Sequence, residues 1–292
     1  MISVIFCSRV KGNPDSNVRR LLDSVVAHTT PQEREQLEFL IKYDDDDDER
    51  PPDGFFASYP LRIRTFCWSR GEGRHGLHHV QEYLFAQRDP RARFCLMTAD
   101  DFYFVRCGWV SEILSVRDEF CIIGRNRPNI ESYAGVYEQE QQIRKWVVAF
   151  GPLAPVVSVR LIEVCQNFGW QSNVDSWLMG LSVVLYDLYG VAIWRDMPLF
   201  YERGGGPGLG DTPTYNNMEL TYLQGPHNKY WFELVRRQAH NLYLNMRYGT
   251  KLTQLGRSSS RRFWNKLRSS PWHRLPGRVC RRVFKQVRSL LS

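Results

Sequence analysis

No two of the seven cysteines form a CxxC pair; Cys7, Cys67, Cys95, Cys107, Cys121, Cys165 and Cys280 are scattered along 292 residues. That spacing excludes the zinc ribbons and dithiol redox centres built on paired cysteines. Several of the cysteines sit in apolar strand-like runs, where Cys acts as a small hydrophobe, so reduced thiols are expected. No apolar run approaches the roughly 18 residues of a membrane-spanning helix. Met1–Phe6 lacks the basic flank and long apolar stretch of a signal peptide, so a cytoplasmic chain whose fold starts at once is expected. Acidic residues are absent from Leu234 to Ser292, a stretch with 15 Lys and Arg, whereas the preceding residues carry a net −7 within an overall charge of +8. The chain is therefore not uniformly basic. An acidic body carries a basic tail, and the tail calls for an anionic partner, a membrane surface or a nucleic acid.

What is present is enough for a folded protein: 43% hydrophobic and 13% aromatic residues can bury a core and exclude a disordered chain. Ile2–Cys7 reads as a strand, Ser8–Ser16 as a turn-rich loop, Asn17–Ala27 as a helix capped by Asp15 or Ser16, and Leu37–Tyr43 as a second strand. Strand, helix, strand in this order is a βαβ unit, which puts Cys7–Ser8 and Tyr43–Asp44 on one edge of a parallel sheet. In open α/β sheets that edge binds ligands. Asp44 and Asp45 stand at the strand's end, where a carboxylate can accept from a ribose or a base, or simply face water like the acidic residues Asp46–Glu49 behind them.

Leu61–Trp68 alternates as a third strand and leads into Ser69–Gly76, where three glycines allow close backbone approach and Arg70, Arg74 and His75 can face phosphate oxygens. A helix is expected over Leu77–Gln87. A glycine-rich loop entering a helix is a recurrent anion site, although the spacing is not that of a P-loop, and a plain surface turn would look the same. The central stretch is Phe94–Asp101, an apolar run ending in two adjacent carboxylates. Like charges side by side disfavour each other's ionisation unless water or a cation compensates. Mg²⁺ or Mn²⁺ on Asp100 and Asp101, with substrate phosphates completing the shell, would supply that compensation; the alternative is a solvated cap.

Further along, Phe120–Gly124 and Trp146–Phe150 are apolar runs, Val156–Phe168 and Ser176–Tyr189 have helical spacing, and Gly190–Glu202 reads as a final strand. Asp175 stands at the start of the second helix, as a cap or as a general base. Gly204–Gly210 reads as a linker or lid, Tyr215–Leu223 and His227–Leu244 as partly helical. In Arg278–Ser292, Val279, Val283, Val287 and Leu290 share a helical face bordered by Arg281, Arg282, Lys285 and Arg288, the pattern of a helix lying in a membrane interface or docked on the body. Trp264 and Trp272 suit an interfacial belt, which favours a membrane over a nucleic acid.

Taken in order, Ser3–Arg9 with Leu21–Ser24, then Glu38–Asp45, then Gly73–Leu84, then Thr98–Asp101 resemble a GT-A-type glycosyltransferase of the family-2-like group, over about residues 1 to 200. The resemblance implies an α/β fold with a mostly parallel, Rossmann-like central sheet flanked by helices over 1–203. A glycine-rich and helical segment over 204–256 and a basic tail over 257–292 would follow. It implies a UDP- or GDP-sugar donor contacted by Ser8, Arg9, Asp44, Asp45, Arg70, Arg74, His75, Thr98 and Asp100. A Mn²⁺ or Mg²⁺ ion would sit on Asp100 and Asp101, and Asp175 would be the base of an inverting transfer. The acceptor would be a glycan or a lipid-linked molecule, met at the inner face of a membrane held by the tail. Thr98 stands where the family's Asp-x-Asp-Asp pattern has its first acid. A relative that keeps the fold, does no catalysis and binds a polyanion through its tail is the alternative. A nucleotidyltransferase using the same metal is a third.

Overall fold

Ile2–Ser8 forms β1, buried along nearly its whole length, as a strand covered on both faces must be. The computed structural model describes residues 1–8, 14–45, 51, 54–69, 77–124, 154–166, 174–198, 200–203 and 228–249. After β1 come α1 (Pro14–Ala27), the single-turn α2 (Pro31–Arg34), β2 (Leu37–Asp44) and β3 (Arg62–Trp68). Then follow α3 (Leu77–Ala86), β4 (Phe94–Met97), β5 (Phe102–Phe104), α4 (Trp109–Ser115) and β6 (Ile122–Gly124). The remainder is β7 (Val156–Ser158), α5 (Val159–Cys165), α6 (Val174–Tyr189), β8 (Trp194–Asp196), β9 (Tyr201–Arg203) and α7 (Asn228–Tyr248).

Seven strands make one sheet in the order β3-β2-β1-β4-β7-β6-β8. β3, β2, β1 and β4 are parallel, β7 runs antiparallel to both β4 and β6, and β6 and β8 are parallel. The expected α/β architecture with a mostly parallel sheet and flanking helices is thus the observed one. From β1 the chain steps outward to β2 and β3, then returns to place β4 on β1's other side. The strand order reverses between β1 and β4, and such a switch point leaves a crevice beyond the strands' carboxyl ends.

Alternation along the strands builds the core. Ile2, Val4 and Phe6 of β1, Leu37, Phe39 and Ile41 of β2, and Phe94 and Leu96 of β4 join Val18, Leu21, Leu22 and Val25 of α1 in one apolar cluster. Each of those α1 side chains is fully buried, stabilising the fold by about 2 kcal/mol apiece. The opposite face of β1 and β2 lies under α3. Glu38 is buried there, accepting from Ser3 Oγ at 2.5 Å, Asp89 N–H at 2.5 Å and Arg64 Nη2 at 3.3 Å.

Three local expectations give way. α1 starts at Pro14, so Asp15 and Ser16 lie inside its first turn rather than before it; proline's fixed φ and missing N–H suit that turn. Val156–Phe168 is not one helix: Val156 and Val157 are β-branched, and they pair with Leu96 and Cys95, so α5 begins only at Val159. Gly190–Glu202 is two short strands divided at Pro198, which has no N–H to give a ladder, and β9 leaves the main sheet to pair with β5.

Glu33 ties α2 to α4. It caps its own helix through Thr30, and it accepts from Ser111 Oγ at 2.7 Å and Ser111 N–H at 3.3 Å. Burial pushes its carboxyl upward, but the hydrogen bonds from Thr30 and Ser111 outweigh it and hold the group below the usual glutamate range. A depressed pKa means stability that is present above the unfolded-state value of about 4.3 and is lost as pH falls through the folded-state value. Glu33→Ala is expected to cost about 1–3 kcal/mol at neutral pH in urea unfolding, with the gap to wild type closing in acid. A gap independent of pH would assign the loss to packing alone.

The chain divides into two compact units, Met1–Tyr243 and Leu244–Ser292. In the second, the N–H of Gly249 (φ 72°) donates to Asn245 O at 2.9 Å and closes α7 in the left-handed turn that glycine favours. Among the described residues no helix is long and apolar enough to cross a membrane. The basic helix expected over Arg278–Ser292, the Trp264 and Trp272 pair, the acidic residues Asp46–Glu49, the linker or lid expected over Gly204–Gly210 and the helix expected over Tyr215–Leu223 lie outside the described residues.

Candidate functional site

β1, β2 and β4 end together at the switch point, and their last residues define the site. Pairing of β1 with β4 continues past Met97, where Thr98 N–H donates to Ile5 O at 3.2 Å. The chain then turns, Phe102 N–H reaching Ala99 O at 3.4 Å, and the turn brings Asp100 over the end of β1. There Ser8 Oγ donates to Asp100 Oδ2 at 2.7 Å, with Ser8 only 2% exposed. The segment after the turn is anchored as firmly as β4 before it. Phe104 N–H donates to Ser24 Oγ of α1 at 2.8 Å, and the Phe104 ring stacks on Trp109 at 4.4 Å. The two adjacent acids therefore have different surroundings: Asp100 is half-buried on the Ser8 hydroxyl, and Asp101 is buried.

At the end of β2, Lys42 and Asp44 project to the same side, two residues apart. Lys42 Nζ pairs with Asp44 Oδ1 and lies 5.2 Å from the centre of the Trp68 ring, at the end of β3. The ammonium is buried, its side chain 3% exposed against 13% for Asp44. Asp45, one residue on, is exposed and donates its N–H to Trp68 O at 3.2 Å. Cys7 is opposite Lys42 in the β1–β2 register. Burial pushes the Cys7 thiol up to about 12; Lys42 opposes this, and the carboxylates of Asp44 and Asp100 add to it. Lys42, Asp44 and Asp100 therefore all lie close enough to Cys7 to act on its charge, and a thiol raised this far is not a nucleophile near neutral pH.

The crevice brings together Ser8, Asp44 and Asp100 of the expected donor-binding residues, with Thr98, Asp45 and Asp101 beside them. Arg9, Arg70, Arg74 and His75 lie outside the described residues. Asp175 is the second residue of α6. Lys42 was not singled out by sequence reasoning, although a lone lysine inside Phe39–Tyr43, two residues before an acid, was the available signal.

The donor set decides whether a divalent cation fits. Asp100 offers hard carboxylate oxygen, the type that Mg²⁺ and Mn²⁺ prefer. Among the described residues no group of three or more His, Cys, Asp or Glu side chains converges. A cation here would take its other ligands from a diphosphate and water, as Mg²⁺ ordinarily does.

Fold and site together define an α/β protein with charged side chains gathered at its topological switch point. No family model matches the chain, and no curated protein matches it. Among solved structures it is similar to S. aureus TarS 1–349 in complex with UDP-GlcNAc, at 12% identity over 85% of this chain and 73% of that one, with a TM-score of 0.48. TarS 1–349 alone matches at 13% identity over 70% of this chain, with a TM-score of 0.46, and here the chain spans 60% of that structure's length. Against a structure of TarS with a TM-score of 0.42 it spans 36% of the length, at 11% identity. Likeness at this level assigns neither family nor activity.

Proposed function

We propose that the chain is a glycosyltransferase that binds a nucleotide-sugar donor in the crevice between β1 and β4 and passes the sugar to a hydroxyl of a glycan or lipid-linked acceptor. The observation that carries this is the Ser8–Asp100 hydrogen bond, which sets an oriented carboxylate at the switch point, beside the Cys7 that the Lys42–Asp44 pair also faces. The order of motifs in the sequence supports the same reading.

Asp100, with Asp101 beside it, would hold Mn²⁺ or Mg²⁺. Such a cation, when bound, neutralises charge on the leaving diphosphate. Asp44 and Asp45 would accept from the ribose or base, and Arg70, Arg74 and His75 would donate to phosphate oxygens. In the transfer, the acceptor oxygen bonds to the anomeric carbon as the bond from that carbon to the diphosphate oxygen breaks. Asp175 would take the acceptor's proton onto its carboxylate and leave the sugar inverted. The basic residues of Leu234–Ser292 would hold the enzyme on an anionic membrane face, where lipid-linked acceptors are met.

Calorimetric titration with UDP and with GDP, each with and without Mn²⁺, tests the reading. One nucleotide should bind only with the metal, which also identifies the base of the donor. Failure of both to bind overturns it. Thr98, in place of an acid, favours a second reading in which the donor binds and no transfer follows; turnover of the matching nucleotide-sugar separates the two.

A further inference from the structure

Gln238 of α7 is a buried amide with both ends engaged. Its Oε1 accepts from Trp177 Nε1 at 2.8 Å, and its Nε2 donates to the carbonyl oxygen of Cys165 at 3.1 Å. Gln238 is 2% exposed and Trp177 is fully buried. An amide withdrawn from water in this way is disfavoured unless both its groups are met, and an apolar side chain of the same length would fill the space without that penalty. The two groups it meets flank a single connection.

Cys165 is the last residue of α5, where a carbonyl has no partner within its own helix, and Gln166 follows at φ 66° in the left-handed turn that ends it. Trp177 lies on the first turn of α6, two residues after Asp175. One side chain, from a third helix, thus grips the residue before the connection and the first turn after it. The far end of α6 is tied to α7 as well: the Tyr189 hydroxyl lies 2.8 Å from His240 Nδ1, and its ring stacks on Tyr243 at 4.3 Å. α6 cannot shift along its axis without breaking contacts at both ends.

We infer that Gln238 is a positioning residue for the acceptor side of the reaction: by clamping the end of α5 to the start of α6, it sets where Asp175 stands. The inference rests on the glycosyltransferase reading. It gives α7 a part in the chemistry. A misplacement of about 1 Å in a reacting group can lower the rate on the order of 100-fold.

Gln238→Met keeps the length of the side chain and removes both hydrogen bonds, and Trp177→Phe removes the indole donor together with part of the buried ring. Both variants are expected to leave metal-dependent nucleotide affinity and donor KM unchanged while kcat for transfer falls on the order of 100-fold. In an Asp175→Asn background, Gln238→Met should lower kcat no further, because both changes then act through one group. Hydrogen exchange should rise in peptides covering 161–180 and stay unchanged in those covering β1 to β4. Donor affinity falling together with kcat, additivity with Asp175→Asn, or unchanged exchange over 161–180 overturns the inference. A wild-type protein that binds nucleotide and transfers nothing removes the glycosyltransferase reading, and the positioning of Asp175 for transfer with it. Exchange over 161–180 then still reports whether the clamp itself exists.

Discussion

Asp100→Ala is expected to abolish metal-dependent nucleotide binding and to lower any sugar transfer at least about 100-fold, because it removes the carboxylate that the structure orients at the switch point. The fold should survive, since Asp100 is half-buried in a turn whose two ends are anchored independently, by the β1–β4 pairing and by Phe104 on α1. Ser8→Ala, which keeps the carboxylate and loses its hydroxyl donor, should weaken Mn²⁺-dependent binding by about 10- to 100-fold, the usual effect of removing a ligand's supporting hydrogen bond. Ser8→Thr should restore most of it. The readout is calorimetry with nucleotide and Mn²⁺, alongside circular dichroism to confirm folding. Wild-type affinity in Asp100→Ala would remove the metal site from the crevice.

Lys42→Met is expected to have the largest effect on stability, about 3–5 kcal/mol by urea unfolding, because it removes the buried ammonium from its pair with the Asp44 carboxylate, itself only 13% exposed. The pair as a whole contributes much less than that. Taking two charges out of water costs nearly what their attraction returns, so Lys42→Met combined with Asp44→Asn should recover most of the stability. Nucleotide binding would separate the two roles of the site, staying low in the double variant because Asp44 is gone, while the fold is regained. A double variant as unstable as Lys42→Met alone would show that Lys42 acts through its packing on Trp68 rather than through its charge.

The parts of the site that were legible are those carried by strand ends. Apolar runs closing in Asp44 and in Asp100–Asp101 announce both the strands and the edge at which they stop, since a parallel strand has few reasons to finish in charge. The bond that joins them was not legible. Ser8 and Asp100 are 92 residues apart, and only the reversal of strand order between β1 and β4 makes them neighbours. Lys42 was hidden by the apolar residues around it, because alternation fixes which face a strand residue takes but not which partner waits there. Val156 and Val157 show the limit of periodicity: their spacing continues that of α5, and pairing with β4 decides otherwise. Gln238 could not be read at all, since a polar residue in an amphipathic helix is normally a solvent-facing one.

The way the strands are shared along the chain also orders its assembly. β1 to β4 are complete by Met97, and each pairs only with others of that group until β7 arrives. Asp44 lies within this segment and Asp100 just after it, so both are made before the helices α5, α6 and α7, and earlier parts of a chain tend to condense first. β9, by contrast, must travel back to β5 from the far side of α6, a long-range closure of the kind that slows folding. The crevice acids would take shape on the ribosome before α5, α6 and α7, the helices joined through Gln238, settle against one another.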